Sequence, residues 1–170
     1  MISVSIDSIR VSLVSPHRIV VLKDDDERFL PIWIGPFEAE AINIALQKTQ
    51  PGRPLTHDLL KAMITEVGGK VERIVVADLR EDTFYARIVM DVNKRHIELD
   101  ARPSDAIALA VRLEVPIYVV DQVMNKASIR ASQSEIPAEV EDEQLDAFRD
   151  LIEDLDLDGL GKSGSAPKED

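Results

Sequence analysis

Four polar side chains that could act together in chemistry lie within a six-residue stretch of the sequence. They are Asp100, Arg102, Ser104 and Asp105. Pro103 suits the first position of a helix, because the N–H group that proline lacks has no helical partner there. The residues after Asp105 are almost all apolar, which predicts a helix over 103–113 that is buried nearly all round. The polar groups at its entrance either form the floor of a functional site or only cap the helix and pair with one another.

A second polar group precedes another predicted helix. Its most informative member is His57, which follows Arg53 closely and lies beside Asp58, with Thr56 expected as the N-cap. A histidine can act as a general acid, a general base or a metal ligand near neutral pH. The alternative is an ordinary surface histidine at a helix start. Neither this group nor the first one has a recognised metal-binding spacing.

A third group lies at the start of a helix that Pro36 opens. Glu38 and Glu40 are two residues apart, so we expect them to point to different sides of the helix and not to face one site. Glu38 is expected to interact with the helix dipole. Glu40 is expected to lie with Asn43 and Gln47 on a polar face.

The spacing of apolar residues predicts the elements that would position these groups. Strands are expected over 2–14, 19–22, 29–34, 70–78, 83–92, 96–100 and 116–120, and helices over 36–47, 56–67 and 103–113. A bulge is expected near Asp7–Ser8, where the alternation changes phase. The last strand is apolar on both faces and should be central. Runs of strands separated by helices predict an α+β fold, with largely antiparallel sheets and three main helices packed on them.

Composition limits the classes of function. The net charge is −12, but residues 135–170 carry 13 acidic and three basic side chains, so the remainder is nearly neutral. The acidic balance is therefore weak evidence against binding a polyanion. The absence of cysteine excludes disulfides and thiolate chemistry. Since no long apolar run and no signal-peptide pattern occur either, we expect a cytoplasmic protein without a membrane span.

The change in composition near residue 132 predicts three segments. An α+β domain is expected over 1–132, an acidic amphipathic helix over 133–158 and a disordered tail over 159–170. The acidic C-terminal helix is a candidate for binding a protein partner.

Several stretches together resemble one known family. They are Leu30–Ile42, Arg53–Leu59, Thr83–Ala86 and Asp100–Ala110. In this order and at this spacing, across about residues 1–132, they resemble the bifunctional nuclease domain family. The resemblance implies a compact α+β domain that is often oligomeric and that is credited, in a plant member, with ribonuclease and deoxyribonuclease activity.

Cleavage of a phosphodiester would give these side chains distinct hypothetical roles. Arg53 and Arg102 would hold phosphate through guanidinium hydrogen bonds, and His57 would transfer a proton. Carboxylates of Asp100, Asp105 and Glu40 could bind Mg²⁺ or Mn²⁺, with several waters retained. The candidate catalytic residues are thus His57, Asp100, Arg102 and Asp105, and the candidate substrate-binding residues are Arg53, Ser104 and Glu40.

Three functions remain open at this point. The first is a nuclease that acts on RNA or DNA as a homo-oligomer. The second is a non-catalytic oligomeric or regulatory module, which the lack of a basic stripe and the aromatic content of only 4% would suit. The third is a hydrolase that acts on a small phosphorylated or carboxylated ligand.

Overall fold

The computed structural model describes residues 1–11 and 17–130, which form eight strands and four helices. In chain order these are β1 (Ile2–Val11), β2 (Arg18–Lys23), β3 (Arg28–Ile34), α1 (Pro36–Leu46), α2 (Thr56–Glu66), β4 (Gly69–Arg80), β5 (Thr83–Val92), β6 (Arg95–Ala101), α3 (Pro103–Leu113), β7 (Ile117–Val119), α4 (Asp121–Ala127) and β8 (Ile129–Arg130). Three expectations concern residues outside these ranges and are not tested by the structure. They are the end of the first strand at 12–14, the acidic helix over 133–158 and the disordered tail over 159–170. No helix in the described ranges is long and apolar enough to cross a membrane.

All the strands belong to one sheet in the order β6-β5-β4-β7-β1-β2-β3-β8. Two antiparallel meanders, β1-β2-β3 and β4-β5-β6, are joined by β7, which is parallel to β4 and antiparallel to β1. The predicted α+β class, the largely antiparallel pairing and the central position of the last apolar strand are confirmed. The predicted bulge is also confirmed, since the register of β1 against β2 shifts between Ile6 and Ser8.

The helix α3 forms the centre of the core. Its residues 106–110 are at most 1% exposed, which confirms the prediction of a helix buried nearly all round. Alanine at three of these five positions allows neighbouring elements to approach closely. As a result α3 contacts α1 and α2 as well as β4 and β5.

One local expectation was wrong, and one short helix was not predicted. Thr56 is the first residue of α2 and not its N-cap; Leu55 occupies the N-cap position. The carboxylate of Asp58, at the third helical position, reaches back and accepts the Leu55 N–H at 2.8 Å, so the helix start is stabilised without a polar N-cap side chain. The seven-residue helix α4 was not predicted, because so short a segment shows little helical periodicity. In the structure Val123 and Met124 anchor this helix in the core.

Candidate active site

The first turns of α1, α2 and α3 meet at one end of the core. Each of these helices carries a carboxylate at its third position, and these residues are Glu38, Asp58 and Asp105. Pro36 and Pro103 open α1 and α3, as their fixed φ angle and missing N–H favour. Negative side chains at such positions interact favourably with the helix dipole. The convergence therefore follows from local sequence signals combined with the packing of α1 and α2 on α3.

Arg102 lies at the centre of this convergence. Its Nε donates to Asp105 Oδ2 at 2.8 Å, and its Nη2 donates to Asp105 Oδ1 at 3.1 Å, which makes a two-pronged ion pair. Its Nη1 donates to Glu38 Oε1 at 3.0 Å. Arg102 is nevertheless exposed to solvent, so a ligand can reach it.

His57 is joined to the same cluster. Its Nε2 lies 3.3 Å from Asp105 Oδ1, and its side chain is mostly buried. A neutral imidazole with its proton on Nε2 donates to Asp105 and leaves Nδ1 as a proton acceptor. Glu38, Arg102, Asp105 and His57 thus form a continuous chain of ion pairs and hydrogen bonds, which we call the His–Asp–Arg cluster.

The charges in this cluster stabilise each other. Burial opposes the ionisation of Asp105, but hydrogen bonds from Arg102 and His57 outweigh it and hold the pKa of this carboxyl below the usual 3.8. The hydrogen bond to Asp105, with a smaller contribution from Glu38, raises the pKa of Arg102. Asp105 is therefore an anion and Arg102 a cation at neutral pH.

A buried arginine holds the three helices in this arrangement. Arg112, whose side chain is only 6% exposed, donates from Nε to Asp58 Oδ1 at 2.6 Å. Its Nη1 donates to the carbonyl oxygens of Ala41 and Ala108, both at 2.9 Å. Burial again opposes ionisation of Asp58, but the Leu55 N–H and Arg112 lower its pKa. Because Asp58 adjoins His57, these contacts fix the start of α2 and with it the imidazole.

Two open cavities border the cluster, and both are lined by Glu38 and Arg102. The first has a volume of about 470 Å³ and is also lined by Trp33, Phe84 and Ser104. The second has a volume of about 640 Å³, and its wall includes His57 and Asp105 as well as the residues Phe37 and Glu40. Arg102 and Glu38 thus stand between two spaces that are each large enough for part of a small organic ligand.

The structure brings together only some of the candidate residues. His57, Arg102 and Asp105 are in direct contact, and Glu40 lines the second cavity. Arg53 precedes Pro54, which lines that cavity, but its own side chain is exposed and does not line it. Asp100 lies on β6 opposite Arg87, is exposed and lines neither cavity.

The expectation that Glu38 and Glu40 cannot face one site was wrong. Both line the second cavity, because this cavity extends around the first turn of α1 and is not confined to one side of the helix. Ser104, by contrast, is buried and lines the first cavity, whereas His57 lines the second. These two side chains therefore do not form the hydrogen bond that a serine nucleophile would need.

The donor set does not fit the predicted Mg²⁺ or Mn²⁺ site. Both oxygens of Asp105 are already engaged by Arg102 and His57, and Asp100 is not part of the cluster. Within residues 1–11 and 17–130, no three histidine or carboxylate side chains come together in an arrangement that could hold a metal ion. We therefore derive no step of a reaction through a metal.

Sequence reasoning missed several residues that shape the site. It assigned Glu38 only to the helix dipole, although Glu38 pairs with an arginine 64 residues away. Arg112, Trp33 and Phe37 were not singled out as site residues. The available signal was weak but present: Trp33 and Phe37 both lie in the first of the stretches that resemble the family, next to the Gly35–Pro36 helix start.

The fold and the site together define an α+β domain with a histidine, a carboxylate and an arginine in contact beside open cavities. Residues 20–132 match the model of the bifunctional nuclease domain. The chain therefore belongs to the bifunctional nuclease domain family, as the resemblance in the sequence predicts.

The relatives include proteins with and without a named activity. An uncharacterized protein of Mycobacterium tuberculosis is 36% identical over 159 residues, which cover 91% of this chain and 95% of that protein. Bifunctional nuclease 1 of Oryza sativa subsp. indica is 28% identical over 124 residues, or 70% of this chain and 38% of the rice protein. Bifunctional nuclease 2 of Arabidopsis thaliana is 31% identical over 110 residues, or 62% of this chain and 33% of that protein.

Proposed function

We propose that this domain cleaves phosphodiester bonds of RNA or DNA at the His–Asp–Arg cluster. The observation that carries the proposal is the direct contact of His57 and Arg102 with the same carboxylate, Asp105, at the wall of an open cavity. Its relatives in rice and Arabidopsis are named bifunctional nucleases, which agrees with this chemistry.

Arg102 is the group that would bind the phosphate. Three of its five N–H groups are used by Asp105 and Glu38, which leaves two for a phosphate oxygen. Because Asp105 and Glu38 fix the plane of the guanidinium, little side-chain entropy is lost when phosphate binds. The same donors would stabilise the negative charge that develops on the phosphorus oxygens during cleavage.

His57 is the group that would move the proton. With Nε2 held by Asp105, Nδ1 accepts a proton from the attacking water or, in RNA, from the 2′-hydroxyl. A P–O bond forms with that oxygen, the bond to the leaving oxygen breaks, and the leaving oxygen takes a proton from solvent. The carboxylate of Asp105 fixes the tautomer and stabilises the imidazolium that is formed.

The electrostatics of the site permit an anion in spite of its carboxylates. Glu38 and Asp105 face a single cation, Arg102, so the cluster has one carboxylate in excess. The first turns of α1, α2 and α3 contribute positive ends of helix dipoles, each equivalent to about half an elementary charge. These partial charges offset the excess, and we expect binding of nucleic acid to weaken as salt is raised.

A comparison of two aspartates tests the proposed function. Labelled single-stranded RNA and DNA are incubated with the purified wild type and with Asp105→Asn and Asp100→Asn, each with EDTA, Mg²⁺ or Mn²⁺. We expect cleavage by the wild type and a loss of about 10²-fold or more in Asp105→Asn, because the imidazole loses its anionic partner. Loss in Asp100→Asn alone would move the site to the end of β6. No cleavage by any of the proteins would contradict the proposal.

A second candidate function, assembly with a second copy of this chain, is favoured by the outer face of α2. Leu59, Met63 and Val67 follow one another at intervals of four residues and are each more than half exposed. Such a spacing places them on one face, and a continuous exposed apolar face of this kind is typical of an interface. We propose that this face mediates homo-oligomerisation.

Two further expectations from the sequence are kept as proposals. A cytoplasmic location agrees with the absence of cysteine. The binding of a protein partner by the acidic segment stays a prediction.

A charge placed in the middle of this face should break the assembly. We expect Met63→Glu to lower the mass measured by analytical ultracentrifugation to that of the monomer, because a carboxylate would be buried without a partner in the interface. Leu99→Glu is the matched control, since Leu99 is also an exposed apolar side chain but belongs to β6 and not to α2. Equal masses for the wild type and Met63→Glu would place any interface elsewhere or show a monomer.

A further inference from the structure

We infer that the two cavities beside Arg102 are neighbouring base subsites, so that the site takes a dinucleotide step of a single-stranded nucleic acid with its phosphate on Arg102. The inference rests on the proposed function and names the form of its substrate. It starts from the distribution of the aromatic side chains. The chain has seven Phe, Trp and Tyr residues, and three of them, Trp33, Phe37 and Phe84, line these two cavities.

The first subsite is built around Trp33. This residue is 59% exposed, although tryptophan is among the side chains that gain most from burial. The His17 ring meets the indole edge-on, with ring centroids 6.3 Å apart and planes at 85°. Phe84 adds a further apolar wall. An exposed indole in a cavity offers a surface on which any nucleobase can stack.

The second subsite is built around Phe37. This side chain is 86% exposed, even though it belongs to the first turn of a well-packed helix. Ile44 and Leu55 supply the apolar lining of the same cavity, and Glu40 and His57 supply polar groups. An aromatic ring beside polar groups suits a base better than it suits a purely apolar ligand.

The two subsites are joined by the residues they share. Arg102 and Glu38 line both cavities, so a ligand that fills both must place its central portion against this pair. In a dinucleotide that portion is the phosphate and the adjoining sugars. The guanidinium binds the phosphate, while the carboxylate of Glu38, which only accepts hydrogen bonds when ionised, faces sugar hydroxyls or base amino groups.

This geometry selects single strands. Two bases placed on opposite sides of Arg102 cannot remain stacked on each other or paired with a complementary strand. A duplex would have to unstack and unpair before it could enter, which costs free energy that a single strand does not lose. The substrate class is therefore single-stranded RNA or DNA, recognised mainly through base faces and one phosphate, with little dependence on sequence.

The single tryptophan of the chain provides a direct test, because all of its tryptophan fluorescence comes from Trp33. The full-length protein is titrated with the dinucleotide dTpT and with thymidine 5′-monophosphate. We expect both to quench the emission and dTpT to bind more tightly. Phe37→Leu should weaken dTpT binding about tenfold and leave the mononucleotide titration unchanged. Tyr85→Leu, an exposed aromatic residue that lines neither cavity, is the control and should change neither.

The outcomes separate this inference from the proposed function. Quenching by dTpT that does not depend on Phe37 would show that one ligand does not bridge the cavities, and absence of quenching would remove the Trp33 subsite. A shift of the emission with protein concentration alone would instead assign Trp33 to an interface between copies. In any of these cases, cleavage of single strands in the separate assay would leave the nuclease proposal standing. Quenching with the expected Phe37 dependence but without cleavage would support the subsites and contradict catalysis.

Discussion

The variant His57→Ala is expected to lower the rate constant for cleavage of single-stranded nucleic acid by about 10²- to 10⁴-fold, the usual contribution of a general acid or base. The loss should appear in kcat more than in KM, because His57 acts on the reacting proton whereas Arg102 and the cavity walls hold the substrate. Single-turnover cleavage with enzyme in excess over labelled substrate measures this step without interference from product release.

His96→Ala is the matched control for this experiment. His96 lies on β6 and, like His57, has a carboxylate beside its ring, with Nδ1 3.4 Å from Asp91. It is exposed and lines neither cavity, so its removal should leave the rate constant within about twofold of the wild type. If both variants cleave at the wild-type rate, the activity comes from elsewhere in the chain or from a contaminant.

The variant Arg112→Met is expected to have the largest effect on stability. Methionine fills a similar volume but removes the guanidinium that donates to the Ala41 carbonyl and to Asp58, so Asp58 keeps the Leu55 N–H but loses its cation. Removing one partner of a buried ion pair costs 3–5 kcal/mol, and since Asp58 is 32% exposed we expect the lower end, about 3 kcal/mol. This loss should be read from the midpoint of urea unfolding at pH 7.

The effect of Arg112→Met should also depend on pH. In the folded wild type the pKa of Asp58 is lowered from its usual 3.8, so its ionised form adds stability above that pH. This contribution is lost as the pH falls through the lowered value. The difference in the free energy of unfolding between wild type and variant should therefore shrink below pH 4. A difference that stays constant from pH 7 to pH 3 would show that Arg112 acts by packing alone.

An exposed arginine provides the comparison for stability. Arg87 on β5 pairs with Glu98 on the neighbouring strand at 2.7 Å, and both side chains are largely exposed. Exposed ion pairs contribute about 1 kcal/mol or less. Arg87→Met should therefore shift the urea midpoint much less than Arg112→Met does. Equal shifts would mean that the burial of Arg112 has no special consequence.

Most of the fold could be predicted from the sequence because its elements carry strong local signals. Pro36 and Pro103 mark two helix starts, and the alternation of Phe84, Ala86, Ile88 and Met90 marks a strand. The phase change near Asp7 even located the bulge. These signals depend on residues close together in the chain. The order of the strands does not, and the parallel pairing of β4 with β7 became evident only in the structure.

The sequence was sufficient to predict several residues of the candidate site, but not the contacts between them. His57, Arg102 and Asp105 were recognised by residue type and by their place at helix starts. The contact of Arg102 with Glu38 joins residues 64 apart, and that of Arg112 with Asp58 joins residues 54 apart. Such pairs depend on how α1 and α2 settle on α3, which no local pattern records. The same holds for Asp100, which strand pairing places opposite Arg87 on β5 and not in the cluster.

The short strand β7 has a consequence for the order in which this domain folds. Only three residues, Ile117–Val119, connect the two meanders, and they pair Ile2 at the start of the chain with Val119. Pairings between such distant residues form late, because a long loop must close before they stabilise anything. During synthesis both edges of the first meander therefore stay unpaired until β7 and β8 have left the ribosome, because β1 pairs with β7 and β3 pairs with β8. The His–Asp–Arg cluster joins Glu38, which follows the first meander, to Arg102, which follows the second, so it needs both halves of the domain.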